Sequence, residues 1–371
     1  MKFKIKRNIL LENLNHTSKA ISSKNLIPIL TGIKFDLKED GLYLSASDTD
    51  ISIRSFINKK NIIDIEELGS IVIGGKYIVE IIRKLPDGEI SIEVIDGYKM
   101  IVSTTNSEFT LNGVNPNEFP NLELEEIKEP IIIKTSEFKT IINQTFFATS
   151  QSESRPILTG INFRISGNLL EVIATDSYRL ARKTISIDKE LDNEINIVIP
   201  GKNLMELSRI IDDDDKVIEM HLFNNKILFK YDNILFLSRL LNGTYPANGS
   251  IIPSDFDIRI DCSSDTIYEM IDRASLLTSD RDKNTIKLEL VDKELIISSN
   301  SPEIGKVEEK ISVINEGEVS ISFSSKFMLD AIKSFNQDNV SIYINNDSSP
   351  IIIKSDDDNS LIQLVLPIKT Y

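Results

Sequence analysis

The chain has 371 residues, of which 42 are lysine or arginine and 57 are aspartate or glutamate, giving a formal net charge of -15. The hydrophobic fraction of 41% and the charged fraction of 27% are typical of a folded globular protein, and they exclude a collagenous or strongly disordered chain. No apolar run approaches the ~18 residues of a membrane span, and the acidic balance argues against a conventional high-affinity nucleic-acid binder because phosphate is repelled at long range.

The pattern of the first third of the chain predicts two helices, with strands between them and after the second. Apolar residues recur at helical spacing at Leu10, Leu14 and Ile21, and again at Ile78, Ile81, Ile82 and Leu85. Alternation over residues 90–94, followed by the turn dipeptide Asp96-Gly97, predicts a strand and a hairpin.

The remaining two thirds repeat this order of elements. Residues 131–134 and 340–344 predict strands, and Asn224-Asn225 predicts a turn between strands. Four further helices are predicted from apolar residues at helical spacing: Phe138, Ile141, Ile142 and Thr145; Leu204, Leu207 and Ile211; Ile267, Met270, Ile271 and Ala274; Met328, Ala331, Ile332 and Phe335.

The sequence contains an internal repeat. Residues 28–35 reappear as residues 156–163, at an offset of 128 that also carries residues 46–48 onto 174–176. A weaker third copy runs through residues 286–290 and 298–300. A helix-start signature occurs three times, at residues 73–76, 199–202 and 323–326.

Acidic, proline-containing segments mark the boundaries between these copies. We predict three α+β domains, copy one at 1–127, copy two at 128–252 and copy three at 253–371. Each copy has two helices packed on antiparallel sheet.

The residues offer little material for catalysis or metal binding. His16 and His221 lie in different copies with no nearby cysteine, so we interpret both as ordinary surface or helix residues. Residues 69–76 resemble a phosphate-binding loop but break its pattern. The runs 212–215 and 356–358 could hold a divalent cation, but solvated loops are favoured. We expect no enzyme, no cofactor and no metal site.

Localisation is inferred from the N-terminus and the single cysteine. The apolar stretch 9–11 ends at Glu12, too short for an export signal, and Cys262 cannot form an internal disulfide. A reducing, cytoplasmic compartment is the simplest interpretation.

Features found in only one copy are candidates for function, whereas shared features belong to the fold. Asp48 and Asp176 are shared, but Tyr178-Arg179-Leu180 has no counterpart in copy one and has the composition of a binding surface. The alternative is an ordinary strand exit. The apolar C-terminal stretch 361–371 predicts a docked strand or the wall of a groove.

These motifs together resemble the sliding-clamp family of bacterial replicative DNA polymerases, the DNA polymerase III beta subunit. The resemblance rests on the repeated Pro-Ile-Leu-x-Gly, on residues 174–181, on Tyr245-Pro246 followed by Pro253, and on residues 366–368. It implies a non-catalytic processivity factor, a head-to-tail homodimer whose six clamp domains close into a ring around double-stranded DNA. A ring holds DNA by topology with weak phosphate contacts, which reconciles DNA binding with net acidity.

The resemblance also implies a groove for short peptides of the replicative polymerase catalytic subunit, the clamp loader and other proteins with clamp-binding motifs. The matching positions are Leu158, Thr175, Ser177, Tyr178, Arg179, Leu180, Pro246, Ile251, Ser324, Phe327, Leu366, Pro367 and Ile368. Tyr178 stands where the family usually has histidine, Ser250 where arginine is common, and residues 369–371 extend the usual end, so peptide preference is expected to differ.

Two further surfaces follow from the resemblance. Basic residues on the predicted helices and in the loop before Pro28 are candidates for the DNA channel: Lys24, Arg83, Lys84, Lys139, Arg209, Arg273 and Lys333. The dimer seam is expected at Phe109, Leu111, Leu276 and Leu277. The alternatives are a three-copy interaction scaffold that never encircles DNA and a metal-dependent hydrolase using an aspartate cluster.

Overall fold

The structure is a computed structural model that describes residues 1–22, 27–212, 216–246, 251–253, 255–279 and 283–369. It contains six α-helices: α1 (Arg7–Thr17), α2 (Gly75–Lys84), α3 (Thr135–Thr145), α4 (Gly201–Ile210), α5 (Ser264–Ser275) and α6 (Ser325–Lys333). Within the described parts of the chain, no helix is both long enough and apolar enough to cross a bilayer.

The described residues form 21 strands. They are β1 (Lys2–Lys6), β2 (Gly32–Lys38), β3 (Gly41–Ser47), β4 (Ile51–Asn58), β5 (Ile62–Glu67), β6 (Gly69–Gly74), β7 (Glu89–Ile95), β8 (Lys99–Ser103), β9 (Glu108–Val114), β10 (Ile131–Lys134), β11 (Gly160–Thr175), β12 (Arg179–Pro200), β13 (Val217–Leu222), β14 (Lys226–Tyr231), β15 (Ile234–Arg239), β16 (Ile258–Ser263), β17 (Thr285–Ser301), β18 (Gly305–Ser324), β19 (Asn339–Ile344), β20 (Ile351–Ser355) and β21 (Asp358–Val365).

The chain divides into two compact units. Unit one comprises Met1–Ser136 and Glu206–Leu240, and unit two comprises Glu137–Met205 and Leu241–Tyr371. The boundaries predicted at 127/128 and 252/253 describe sequence copies, and they stay predictions.

Unit one is built on one antiparallel sheet of 13 strands in the order β10-β13-β14-β15-β4-β3-β2-β6-β9-β8-β7-β1-β5. Residues alternate between its faces: in β2, Ile33, Phe35 and Leu37 are buried while the residues between them are more exposed. The pairing of β15 with β4, Phe236 opposite Ile53, joins strands of copies two and one. Such long-range pairing leaves no local signal in the sequence.

Helices α1 and α2 bury apolar residues of unit one. Leu10 and Leu14 of α1 and Ile78 and Ile82 of α2 are fully buried, as the helical spacing predicts. The Arg7 side chain at the start of α1 donates from Nε to the Ile82 carbonyl oxygen at 3.0 Å, which ties the two helices together.

Unit two contains a six-stranded antiparallel sheet, β11-β12-β21-β20-β19-β16, and the long hairpin β17-β18. Helices α5 and α6 pack into one apolar core with these strands, and Ile267, Ile271, Met328 and Ile332 are all buried there. The strand predictions at 131–134 and 340–344 are confirmed by β10 and β19.

Candidate interaction groove and nucleic-acid surface

The corner between β11 and β12 is a tight turn specified by local side chains. Asp176 Oδ1 accepts hydrogen bonds from the backbone N–H groups of Tyr178 (2.9 Å) and Arg179 (3.0 Å), and Ser177 adopts a left-handed φ of 79°. Copy one has the same turn, since Asp48 Oδ1 accepts from the N–H groups of Asp50 and Ile51. The shared aspartates therefore maintain the fold, as predicted.

The copy-two turn differs in presenting an aromatic ring. Tyr178 is 64% exposed, and its ring stacks at 6.5 Å between centroids on Phe327 of copy three. A large aromatic side chain exposed beside another aromatic is typical of a peptide-binding surface.

Arg179 lies behind these rings and is almost fully buried. Its Nε donates to Asp176 Oδ2 at 3.0 Å and its Nη1 to Asp330 Oδ2 at 2.6 Å. The guanidinium carbon lies 4.5 Å from the Phe327 ring centroid. Arg179 is thus a buried, fully paired cation that holds the aromatic wall rather than an open charge for a ligand.

The C-terminal segment forms the opposite wall. The Leu366 N–H donates to the Tyr178 carbonyl oxygen at 2.9 Å, and the Ile368 N–H donates to the Ser322 carbonyl oxygen at 2.7 Å. The expectation that the apolar C-terminal stretch docks is confirmed for β21 and for residues 366–368.

These walls enclose a cavity of about 630 Å³. Its lining includes six of the predicted groove positions, Tyr178, Ser324, Phe327, Leu366, Pro367 and Ile368, together with Lys283, Asn284, Lys326 and Lys369. The last four were not predicted as groove residues. The sequence predicts Lys326 only as part of a helix start, and Lys283, Asn284 and Lys369 belong to no repeated or periodic pattern.

A second group of predicted positions lies in the adjoining apolar cluster. Leu158 and Leu180 are buried there with Ile173, Val198 and Tyr245, and Leu366 packs against the cluster as well as lining the cavity. Thr175 is buried and donates to the Arg179 carbonyl oxygen at 2.6 Å. Leu366 thus joins the cavity to the buried apolar cluster, and the two together are hereafter called the groove.

Three predicted groove positions lie away from this lining. Pro246, Ile251 and Ser177 are exposed, and none of them lines the cavity. Ser177 Oγ instead accepts a hydrogen bond from Arg155 Nη1 at 3.0 Å. Ser250 lies outside the described residues.

The basic helix residues are mostly exposed but several are already paired. Arg83 pairs with Glu80, Arg209 with Glu206 at 2.5 Å, and Arg273 with Glu309 at 2.7 Å. Hydrogen bonding to Glu309 raises the pKa of Arg273 and lowers the pKa of Glu309. Since phosphate would have to compete with these carboxylates, such arginines offer only weak contacts.

The other basic candidates among the described residues lie on helices α2, α3 and α6. Lys84 and Lys333 end α2 and α6 and are exposed, and Lys139 is half-buried in α3. Lys24 lies outside the described residues. Their assignment to DNA stays a prediction.

Of the predicted seam residues, Phe109 and Leu276 are exposed, whereas Leu111 and Leu277 are half-buried. Phe109 and Leu111 belong to β9, which pairs with β6 only at Val114 and Gly113. Among the described strands, residues 108–112 therefore pair with β8 alone. Leu276 caps α5 and is 75% exposed. An apolar strand edge and an exposed leucine are features of an unfilled interface.

The one candidate metal cluster among the described residues is Glu126, Glu219 and His221. Nδ1 of His221 accepts a hydrogen bond from the Ile127 N–H at 3.0 Å, so in the neutral ring Nε2 carries the proton. Nε2 lies 3.2 Å from Glu219 Oε2 and has no lone pair free for a metal. The cluster does not fit a cation.

The interpretation of His221 is wrong, because His221 is 1% exposed in β13 and is not a surface or helix residue. The expectation of a solvated loop at 356–358 is confirmed for Asp356 and Asp357, which lie exposed in a turn. It is wrong for Asp358, which begins β21, is largely buried and accepts from Lys183 Nζ at 2.8 Å. Asp213, Asp214 and Asp215 lie outside the described residues.

Comparison with known proteins places all three copies in one family. Models of the DNA polymerase III beta subunit match in order: the N-terminal domain at residues 1–123, the central domain at 132–247 and the C-terminal domain at 249–369. The chain belongs to the DNA polymerase III beta subunit family.

The relatives are similar over their full length. The curated beta sliding clamps of Bacillus subtilis and Staphylococcus epidermidis are 43% and 41% identical to the chain, each with 100% of both chains covered. The crystal structure of the Bacillus subtilis DNA polymerase sliding clamp matches with a TM-score of 0.97 at 42% identity, and that of the beta chain from Streptococcus pneumoniae with 0.95 at 35%, both covering 100% of each chain.

Membership of this family confirms the main sequence-based predictions. The chain is built from three tandem α+β clamp domains, and its function is that of a sliding clamp in DNA replication. It is a non-catalytic processivity subunit and not an enzyme.

Proposed function

We propose that two copies of the chain close head to tail into a ring around double-stranded DNA, and that the groove of each copy tethers the replicative polymerase. The clamp loader and other proteins with short clamp-binding motifs use the same groove. The single observation that carries this proposal is the convergence of Tyr178, Phe327 and residues 366–368 on one cavity.

The chemistry of the groove suits an apolar peptide. Its base is the apolar cluster containing Leu158 and Leu180, and its mouth carries the stacked rings of Tyr178 and Phe327. Burying one leucine or phenylalanine side chain in such a groove contributes about 1.5–3 kcal/mol. A short motif with two apolar anchors therefore binds without a large interface.

Encirclement explains how an acidic chain works on DNA. With a net charge of -15 the chain cannot rely on tight phosphate binding. A closed ring needs only the weak contacts that partly paired residues such as Arg209 and exposed Lys333 can give. We place this ring in the cytoplasm, in agreement with a chain that has one cysteine.

The ring is tested by negative-stain electron microscopy of the purified protein. A two-subunit ring with a central hole and six-fold pseudo-symmetry is expected. Crescents or solid particles would instead favour the alternative, a three-copy interaction scaffold that does not encircle DNA.

The groove is tested by Phe327→Ala in a primer-extension assay with the cognate polymerase. We expect shorter products and an intact ring, because one wall of the cavity is lost. The matched control is Ile314→Ala, which truncates an 85% exposed residue outside the groove. Equal product lengths for Phe327→Ala and the unmodified chain would rule out the groove as the tether.

A further inference from the structure

Copy one carries a row of polar side chains across three neighbouring strands. Lys34 of β2 lies opposite Ser45 of β3, and Ser45 lies opposite Arg54 of β4. All three face away from the buried side of the sheet, where Phe35, Leu44 and Ile53 lie. Lys34 and Arg54 are two strand spacings apart, about 10 Å at the backbone.

The segment after β9 covers this row and makes a cavity. Its volume is about 400 Å³. All residues of the segment 116–122 except Glu118 line it, and the strands contribute Lys34, Asp36, Lys38, Tyr43, Ser45 and Arg54. Phe119 packs with Leu30 and Val72 in a small buried cluster at its side, with Leu122 against it. The cavity thus places apolar surface next to the cations Lys34 and Arg54, and the paired Asp36 and Lys38 lie on the same lining.

Neither cation has an acidic partner. Among the described residues, no carboxylate oxygen lies within 4.0 Å of Lys34 Nζ or of the Arg54 guanidinium. Arg54 has only a 3.4 Å contact from Nε to Ser45 Oγ. Burial lowers the pKa of Arg54, and Tyr43 and Asp36 offset this only in part. Asp36, two positions after Lys34 in β2, pairs instead with Lys38, whose Nζ lies 3.4 Å from its Oδ2.

In the other copies, the residues that correspond to Lys34 and Arg54 are either uncharged or paired with a carboxylate. The offset of 128 carries Lys34 onto Asn162, which is buried and donates to Asn196 and to the Ile197 carbonyl oxygen. The same offset carries Arg54 onto Arg182, whose Nη1 lies 3.8 Å from Glu171 Oε2. In copy three the lysine of the repeated strand, Lys287, pairs with Glu289 at 2.8 Å. Unpaired charge is therefore peculiar to copy one, which marks it as functional rather than part of the fold.

The apolar side of the cavity is the counterpart of the groove. Leu30, Val72 and Phe119 correspond along the repeat to Leu158, Val198 and Tyr245, which lie together in the apolar cluster of the groove. The position of buried Ile173 in that cluster is taken by Ser45 in copy one. Copy one thus keeps the groove's position in the fold, but it has a serine in place of one apolar residue of the base, with Lys34 and Arg54 on either side of it.

We propose that this copy-one cavity binds an acidic peptide segment, with its carboxylates on Lys34 and Arg54 and a neighbouring apolar side chain against Phe119 and Leu122. The choice of a peptide rests on the proposed function of the groove, whereas the acidic character rests on the unpaired cations. Charge-assisted hydrogen bonds to Arg54 give the site its selectivity for carboxylates over amides.

The site is tested by isothermal titration calorimetry of the full chain with the peptide acetyl-Gly-Leu-Glu-Leu-Glu-Gly-amide at low salt. Binding that weakens as salt is added is expected. The double variant Lys34→Gln/Arg54→Gln should bind about tenfold more weakly or not at all, since hydrogen bonds to charged groups are lost. Both side chains lie on the sheet's outer face, and an unchanged thermal unfolding midpoint verifies the fold.

Two control variants separate this site from the groove. Arg182→Gln changes the copy-two counterpart, and Phe327→Ala changes the groove, and both should bind the acidic peptide as the unmodified chain does. Loss of binding in Phe327→Ala would place the peptide in the groove and overturn the proposal. Unchanged binding in the double variant would also overturn it. So would equal affinity for a peptide with glutamines in place of the glutamates, or inorganic phosphate that competes as strongly as the acidic peptide binds.

Discussion

Arg179 is a buried cation shared between two copies of the repeat. It donates to Asp176 in its own turn and to Asp330 in α6 of copy three, and its guanidinium lies on the Phe327 ring. Removing one carboxylate leaves a buried charge with half its partners. The position of the aromatic wall therefore depends on a residue that does not line the cavity.

Asp330→Asn should loosen this wall without unfolding the protein. We expect a loss of about 1 kcal/mol in the free energy of unfolding and about fivefold weaker binding of the polymerase peptide, because Phe327 loses its support. Thermal denaturation and calorimetry measure the two effects. Glu80→Gln, which breaks the exposed ion pair of Arg83, is the matched control and should change neither value. Full affinity in Asp330→Asn would show that Arg179 does not position the ring.

Residue-level prediction from sequence succeeded where the cause is local. The turn at Asp176 is specified by four consecutive residues, and its copy-one counterpart at Asp48 shows the same hydrogen bonds. His221 was misassigned because its partner, the Ile127 N–H, is 94 positions away. Lys283 and Asn284 were missed for the same reason, since only the docked C-terminal segment makes them part of the cavity.

At the scale of elements, helices were predicted better than sheets. The apolar stripes located α2, α5 and α6 within a few residues, although α6 ends at Lys333 and leaves Phe335 just beyond it. The sheets depend on pairing between distant strands, such as β12 with β21, where Arg182 lies opposite Ile362. Alternation predicts that a segment is a strand but does not name its neighbour.

The β12–β21 pairing is reinforced by a largely buried ion pair. Lys183 Nζ donates to Asp358 Oδ2 at 2.8 Å, with both side chains largely buried. Burial acts to raise the pKa of Asp358, but hydrogen bonds from Lys183 and Ser360 outweigh it, and the pKa lies below its ordinary value of 3.8. A depressed carboxyl pKa stabilises the fold above pH 3.8, and this contribution is lost as pH falls through the folded pKa.

Asp358→Asn should therefore destabilise the protein in a pH-dependent way. We expect a loss of about 2 kcal/mol at neutral pH, because Lys183 stays buried and charged without its partner. The difference from the unmodified chain should shrink as the pH falls below 3.8 and through the depressed pKa of Asp358, below which both chains carry a neutral group at this position. Urea unfolding at a series of pH values measures it. Asp87→Asn, at an exposed partner of Arg7, is the control, and a pH-independent difference would contradict the ion-pair account.

At the scale of the whole molecule, the repeat predicted the family but not the mode of assembly. Two copies are evident because residues 28–35 and 156–163 are nearly identical, and the third follows from the weaker match at residues 286–290 and 298–300. The seam was inferred only by resemblance, since one chain's sequence records no partner. The structure adds two physical signs of an interface, the partly unpaired edge of β9 and the 75% exposed Leu276.

Leu276→Ser should weaken the dimer without unfolding the protomer. The leucine is exposed in the single chain, so its loss costs the protomer almost nothing, whereas burial in a seam would contribute about 1.5–3 kcal/mol per protomer. A closed ring of two subunits has two seams, so the loss of binding free energy counts twice. We expect at least a tenfold rise in the dimer dissociation constant, measured by sedimentation equilibrium. Ile314→Ser, an 85% exposed apolar residue of the same copy outside the predicted seam, is the control. If the two variants dissociate alike, exposed apolar surface in general holds the dimer and the predicted seam is wrong; if only Leu276→Ser dissociates, ring closure depends on the end of α5.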